Sequence, residues 1–161
     1  NINQRINKAL SSLLISIPLT SIVSLLSRTI CEPNSWSWED QLNKGEIGEP
    51  WDGVRNYQAS NNMKSMRLKD LGFFYHSVTE KKIVGIVEII KEYEPDPTDK
   101  SNKFGMVTVK ALKTLDKSVS LQDIKENKSL TNFIMLRQNR LSVLPVSLKE
   151  WNIICNMAHT G

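Results

Sequence analysis

Residues 83–90, IVGIVEII, are near-continuous in β-branched side chains and carry no 3.6-residue stripe. Such a run reads as a strand buried on both faces. Gly85 inside it marks a bulge or the close approach of another backbone. Immediately upstream, GFFYHS (72–77) alternates aromatic side chains as a second strand does, with Phe73 and Tyr75 on one face and Phe74 and His76 on the other. Lys81 and Lys82 mark the turn between them. Downstream, YEPDPT (93–98) reads as a proline-locked turn. The polar loop to Lys103 reads as mobile, and MVTVKAL resumes strand alternation from Met106.

Helices are expected around these strands. Ser37 with Asp40, Ser120 with Asp123, and Ser147 with Glu150 each have the three-residue spacing of a capping box. The second helix should bury Leu121 and Ile124. The third should seal the core with Leu148, Trp151 and Ile154 or Cys155. Met63 and Met66 stand at core-facing helical spacing. Residues 133–136 read as a further strand, and an alternating strand ended by Pro145 follows. Strands and helices in this order make an α+β domain.

With 161 residues, 40% of them apolar, the chain suffices for one sizeable core. The net charge is +4, and its distribution is uneven: residues 99–149 hold ten basic and four acidic side chains, the remainder eleven and thirteen. That excess suits a basic face toward nucleic acid and equally a lysine-rich solvated surface. Cys31, Cys155, His76 and His159 are too dispersed for a structural zinc site, so no metal is expected. The two cysteines fit a reducing compartment, with a single long-range bridge as the alternative. Residues 1–29 have no acidic side chain, and the uncharged run 9–26 is broken by Pro18 and diluted by serines, which suits a membrane span poorly. A first strand or packing helix, a targeting segment and a mis-started frame all remain open for this extension.

Residues 51–62, WDGVRNYQASNN, contribute few aliphatic side chains. Trp51 and Tyr57 offer stacking faces, Asn56 and its neighbouring amides offer paired donors and acceptors, and Arg55 offers a phosphate contact. An Asp-Gly turn followed by an amide-rich helix accounts for the same residues. Trp36 and Trp38 read as pocket wall or core. His76 beside Ser77 lacks a nucleophile elbow, and adjacent strand side chains point apart; a hydrogen-bonding imidazole in a pocket wall, or a satisfied core histidine, fits better than hydrolysis. Arg137 and Arg140 at a strand end read as phosphate or base contacts, or as an ordinary charged turn.

Taken in order, CEP (31–33), WDGVRNYQASNN, FFYHS, IVGI, YEPDPT, RQNRLSV and the closing EW resemble the EVE domain family of the PUA-like superfamily, over residues 30–157. The resemblance implies an EVE domain over residues 30–161. It implies a strongly curved β-barrel of about six strands with short peripheral helices, and an aromatic pocket for a flipped base such as 5-methylcytosine. By motif position it places Ser35, Trp36, Trp51, Val54, Asn56, Tyr57, Tyr75, His76, Ser77, Arg140, Leu141 and Ser142 at the base, with Arg55 and Arg137 toward phosphate. Modified DNA is the implied partner and RNA the alternative, with no cofactor; no catalysis is expected, an enzyme acting on the extruded base being the less favoured alternative. A cytoplasmic location is expected, with nuclear or mitochondrial as the alternative. Departures from the family pattern are Ile30 and Cys31 in place of lysine and serine, Ser60 in place of an arginine that would supply a phosphate contact, Lys69 in place of a turn glycine, and Phe104 in place of tryptophan.

Overall fold

The computed structural model describes residues 36–77, 80–138 and 140–159, together with the backbone of 23–27. Six strands form one sheet: β1 Val23–Ser27, β2 Glu49–Pro50, β3 Leu71–His76, β4 Lys82–Pro95, β5 Gly105–Ser120 and β6 Val143–Val146, in the order β2-β5-β4-β3-β1-β6. All neighbours are antiparallel except β1 and β3. Part of the uncharged N-terminal run therefore supplies a strand between β3 and β6. The segments 1–22 and 28–35, with Cys31, Ser35 and the targeting and frame questions, lie outside the described residues.

Among the described residues four helices surround the sheet: α1 Trp38–Asn43, α2 Tyr57–Lys64, α3 Leu121–Glu126 and α4 Leu148–His159. All three capping boxes form. Ser37 and Asp40 exchange bonds at the start of α1, and Ser120 and Asp123 do so at α3. Before α4, Ser147 N donates to Glu150 at 2.9 Å and Glu150 N donates to the Ser147 hydroxyl at 3.2 Å. These motifs succeed because cap and partner are only three residues apart and satisfy each other's orphan amides whatever the rest of the chain does.

The sheet is long and bent. β4 and β5 run 14 and 16 residues, and their ladder shifts register at several points, each of which bends the strands and increases their twist. Consequently α2 touches β4, β5 and β6 at once. In a flat sheet β5 and β6 would lie four strand spacings, about 19 Å, apart, whereas an eight-residue helix is about 12 Å long. The sheet therefore curls toward α2. Where a barrel was expected, the described strands make a mixed, mainly antiparallel sheet whose pairings do not close.

The other side of β3 is covered by α4, whose Trp151, Ile154 and Cys155 are buried. Trp151 stacks on Phe73 with centroids 3.9 Å apart. Burial pushes the Cys155 thiol up to about 12, leaving it a small hydrophobe. Leu148, expected in this seal, is 54% exposed because it is the first residue of α4 and faces solvent.

Two further expectations are corrected. Residues 133–136 are not a strand: consecutive three-residue turns bond Phe133 N to Leu130 O and Leu136 N to Phe133 O, forming the 3-10 segment Ile134–Leu136. Phe133 and Met135 are buried while Ile134 and Leu136 are only partly so, which imitates strand alternation. Pro145 does not end β6 but sits within it, opposite Ser24; β6 is an edge strand, where a missing N–H is tolerated. Nor is the loop after β4 merely polar chain. The buried Asp99 carboxylate accepts from Ser101 N, the Ser101 hydroxyl, Lys103 N and Phe104 N at 2.7–3.0 Å, which ties the loop to itself.

Candidate functional site

The segment from Trp51 to α2 is fastened at both ends. Trp51 N donates to Val107 O of β5 at 2.7 Å, and its fully buried indole meets Phe74 edge-on, centroids 5.9 Å apart. Gly53 then turns the chain at φ +77°, a conformation that favours glycine. Its N–H donates to Asp96 at 2.9 Å, and Arg55 Nη1 donates to the same carboxylate oxygen at 2.8 Å. Thr98 bonds the other oxygen through its N–H and hydroxyl, and Arg55 Nη2 in turn donates to that hydroxyl. Burial alone would raise the Asp96 pKa, but these donors outweigh it and hold the carboxyl at about 2. Arg55 is thus first an internal clamp: a phosphate reaching it would compete with a carboxylate of 0% side-chain exposure. Asp96 and Thr98 were not singled out from sequence. Their only signal was an aspartate between two prolines, which reads as a turn.

The amides next to this turn are also engaged. Asn56 caps α2, its Oδ1 accepting from Ala59 N at 3.0 Å. Gln58 Nε2 donates to Gln138 Oε1 at 3.1 Å, and Asn62 Nδ2 donates to Val143 O at 2.9 Å. The last two fasten α2 to the segment RQNRLSV. Ser60 is buried and shares a 2.7 Å hydroxyl contact with Tyr93, so the position at which the family resemblance implies a phosphate-binding arginine faces inward here. Tyr57 points outward, 62% exposed, with its ring 4.9 Å from Phe104.

β3 supplies the third side. Phe74 lies beneath Trp38 (5.2 Å), Trp51 and His76 (5.4 Å). Trp38 explains Gly85: a Cβ there would stand 2.2 Å from the indole, so the close approach comes from this ring and not from another backbone. A register shift at the same place bends β3 against β4. Tyr75 is nearly buried, which raises its phenol pKa, whereas His76 and Ser77 are half-buried. Burial is the chief cause lowering the His76 pKa; Glu80 opposes it and Lys82 reinforces it. The imidazole is therefore neutral at pH 7 and suited to one donated and one accepted hydrogen bond.

Val54 and Leu141 are buried, Ser142 is half-buried, and Arg137 and Arg140 are exposed, with Arg137 Nη2 donating to Asn132 Oδ1 at 3.0 Å. Trp36 is half-buried, its Nε1 donating to Gln41 Oε1 at 3.0 Å and its face 5.4 Å from Lys44 Nζ. The segments 51–62, 71–77 and 137–143 are thereby linked through Trp51–Phe74, Gln58–Gln138 and Asn62–Val143. Their predicted residues divide by exposure: Trp51, Val54, Tyr75 and Leu141 lie inside, His76, Ser77, Ser142 and Trp36 at the boundary, and Arg55, Asn56, Tyr57, Arg137 and Arg140 outside. Among the described residues no group of three His, Cys, Asp or Glu side chains could hold a metal, and no helix is long and apolar enough to cross a membrane.

The EVE domain model matches residues 29–157. Mouse thymocyte nuclear protein 1 is 34% identical over 133 residues, covering 68% of this chain and 59% of that protein. The chain thus spans less than two thirds of that relative's length. A crystal structure of an Agrobacterium tumefaciens protein superposes with TM-score 0.80 at 42% identity, covering 86% of this chain and 94% of the other. The human THYN1 protein, solved in complex with 5-methylcytosine containing DNA, superposes with TM-score 0.78 at 28% identity, covering 88% and 99%.

Proposed function

The chain belongs to the EVE domain family, and from that premise we propose that it is a nucleic-acid-binding module that holds a flipped, C5-modified cytosine such as 5-methylcytosine without reacting on it. The observation that carries this reading is the linking of three segments in series: the Trp51 turn meets Phe74 of β3, and α2, which follows that turn, bonds Gln138 and Val143 of the third segment. The DNA complex of the human THYN1 protein supports the same ligand class.

In this reading Val54 and Leu141 supply an apolar wall for the C5 substituent, and Trp51 and Phe74 back the pocket from inside, with Tyr75 on the opposite face of β3 supporting the strand. His76, Ser77, Ser142 and Asn56 meet the polar edge of the base, with Trp36 closing the side. Arg137 and Arg140 lie toward the backbone phosphates. Unstacking a base costs a few kcal/mol, which stacking and edge hydrogen bonds offset. Among the described residues no carboxylate is bonded to His76, and a neutral imidazole serves recognition better than proton transfer. We also read the curl of the sheet around α2 as that of a PUA-like barrel, a reading supported by the bulged β4–β5 ladder.

Burying one extra methyl contributes about 0.8–3 kcal/mol, roughly a 4- to 150-fold preference. Titrating matched DNA oligonucleotides with and without one 5-methylcytosine, followed by tryptophan fluorescence, should show that preference. Equal affinities would contradict the modified-base reading, and a stronger hold on single-stranded RNA than on methylated DNA would transfer the function to RNA.

A further inference from the structure

Tyr57 stands apart from the rest of the candidate site. Trp51 and Val54 in the same segment are 0% and 6% exposed, whereas Tyr57 is 62% exposed. Its ring is nonetheless fixed. It packs at 4.9 Å and 40° against Phe104, and the guanidinium carbon of Arg55 lies 5.9 Å from the Phe104 centroid. Both aromatic residues stand on anchored backbone: Tyr57 follows the Asn56 cap, and Phe104 N donates to the buried Asp99 carboxylate at 2.8 Å. A rigid, half-solvated aromatic pair offers stacking area with little ordering left to be done.

The surroundings select the occupant. Arg55 borders the pair on one side, and the Gln58–Gln138 bond brings the segment carrying the exposed Arg137 and Arg140 alongside the first turn of α2. Cations beside a flat aromatic surface match a nucleobase flanked by phosphates. Tyr57 follows Val54 by three residue steps, at most about 10 Å of chain. Stacked neighbours on one strand are about 3.4 Å apart, so that span equals at most about three nucleotide steps, and a base flanking one held at Val54 falls within it.

We propose that Tyr57 and Phe104 form an outer stacking ledge for a nucleobase flanking the extruded one, a subsite distinct from the pocket. This rests on the base-pocket reading above. The ledge makes affinity for an oligonucleotide exceed affinity for the isolated nucleoside, and the excess resides in Tyr57.

The test compares wild type, Tyr57→Ala and Tyr57→Trp on two probes: 5-methylcytidine, and a single-stranded DNA oligonucleotide with one 5-methylcytosine, intact or with an abasic site on either side of it. Tyr57→Ala should weaken oligonucleotide binding about 5- to 150-fold, the range for one lost base stack, and leave nucleoside binding within about two-fold. Tyr57→Trp should restore the oligonucleotide affinity. One flanking abasic site should weaken wild type by the same factor and cost Tyr57→Ala nothing further.

Unchanged oligonucleotide affinity in Tyr57→Ala would overturn the ledge, as would equal losses for nucleoside and oligonucleotide, which would put Tyr57 inside the pocket. A concentration-dependent dimer dissolved by Tyr57→Ala would assign the surface to a second copy instead. The two readings fail separately. Loss of methyl preference with the abasic coupling intact removes the pocket and keeps the ledge, whereas methyl preference without that coupling does the reverse.

Discussion

The two faces of β3 carry successive phenylalanines into opposite surroundings. Phe73 meets Trp151 of α4 in a near-parallel stack, and Ile154 and Cys155 of the same helix are buried with it. Phe74, one residue later, meets Trp38, Trp51 and His76 at tilted or perpendicular angles, and its surroundings grade outward into half-buried polar groups. The first face is sealed by a helix. The second is closed by a turn and a loop held through side-chain hydrogen bonds, so the proposed recognition and the stability fall on opposite sides of one strand. Variants on the first should cost stability and spare selectivity; variants on the second should do the reverse as they approach the surface.

The largest effect is expected at the sealed face. Trp151→Ala should lose about 3–5 kcal/mol in chemical denaturation, and the protein that remains folded should keep its preference for methylated DNA. Asp96→Ala comes next, at about 2–3 kcal/mol, because Gly53, Arg55 and Thr98 all lose a charged acceptor. Here selectivity should fall as well, since the turn presenting Val54 and Asn56 loosens. The wild-type carboxyl is held at about 2, below the ordinary 3.8. Its contribution is therefore complete above about pH 4 and is lost as pH falls toward 2; an acid titration of the variant should lack that limb.

Gly85→Ala should cost about 1–3 kcal/mol, because its Cβ would push into the Trp38 ring; a changed tryptophan emission would report the shift. Lys69 holds φ at +70° with a side chain, so Lys69→Gly should raise stability by about 1 kcal/mol. The smallest stability change, under about 0.5 kcal/mol, belongs to half-buried His76→Ala, which should nevertheless weaken binding of methylated and unmodified DNA alike. Since its pKa is lowered, neutral His76 contributes fully above pH 6.5, and binding should weaken as pH falls below that value.

What was legible in the sequence was local. The capping boxes, the Asp-Gly turn, the alternation of 72–77 and the β-branched run of β4 each depend on neighbours within a few residues, and each appears where its chemistry places it. The inventory of aromatics and amides in 51–62 was visible too, but its division of labour was not. Arg55 finds Asp96 at a separation of 41 residues and Gln58 finds Gln138 at 80, pairings that no periodicity encodes. The same limit hid the curl of the sheet, which arises from bulges in the β4–β5 ladder. It also made 133–136 look like a strand, since a 3-10 turn that buries alternate residues carries a two-residue pattern.

The central claim is that the Phe74 side of β3 takes the modified base, and amide chemical-shift mapping with 5-methylcytidine tests it most directly. The account predicts perturbations concentrated at Val54, Asn56, His76, Ser77, Leu141 and Ser142, absent around Trp151 and Ile154, and weaker with unmodified cytidine. Perturbations centred on α4, or equal responses to the two nucleosides, would contradict it.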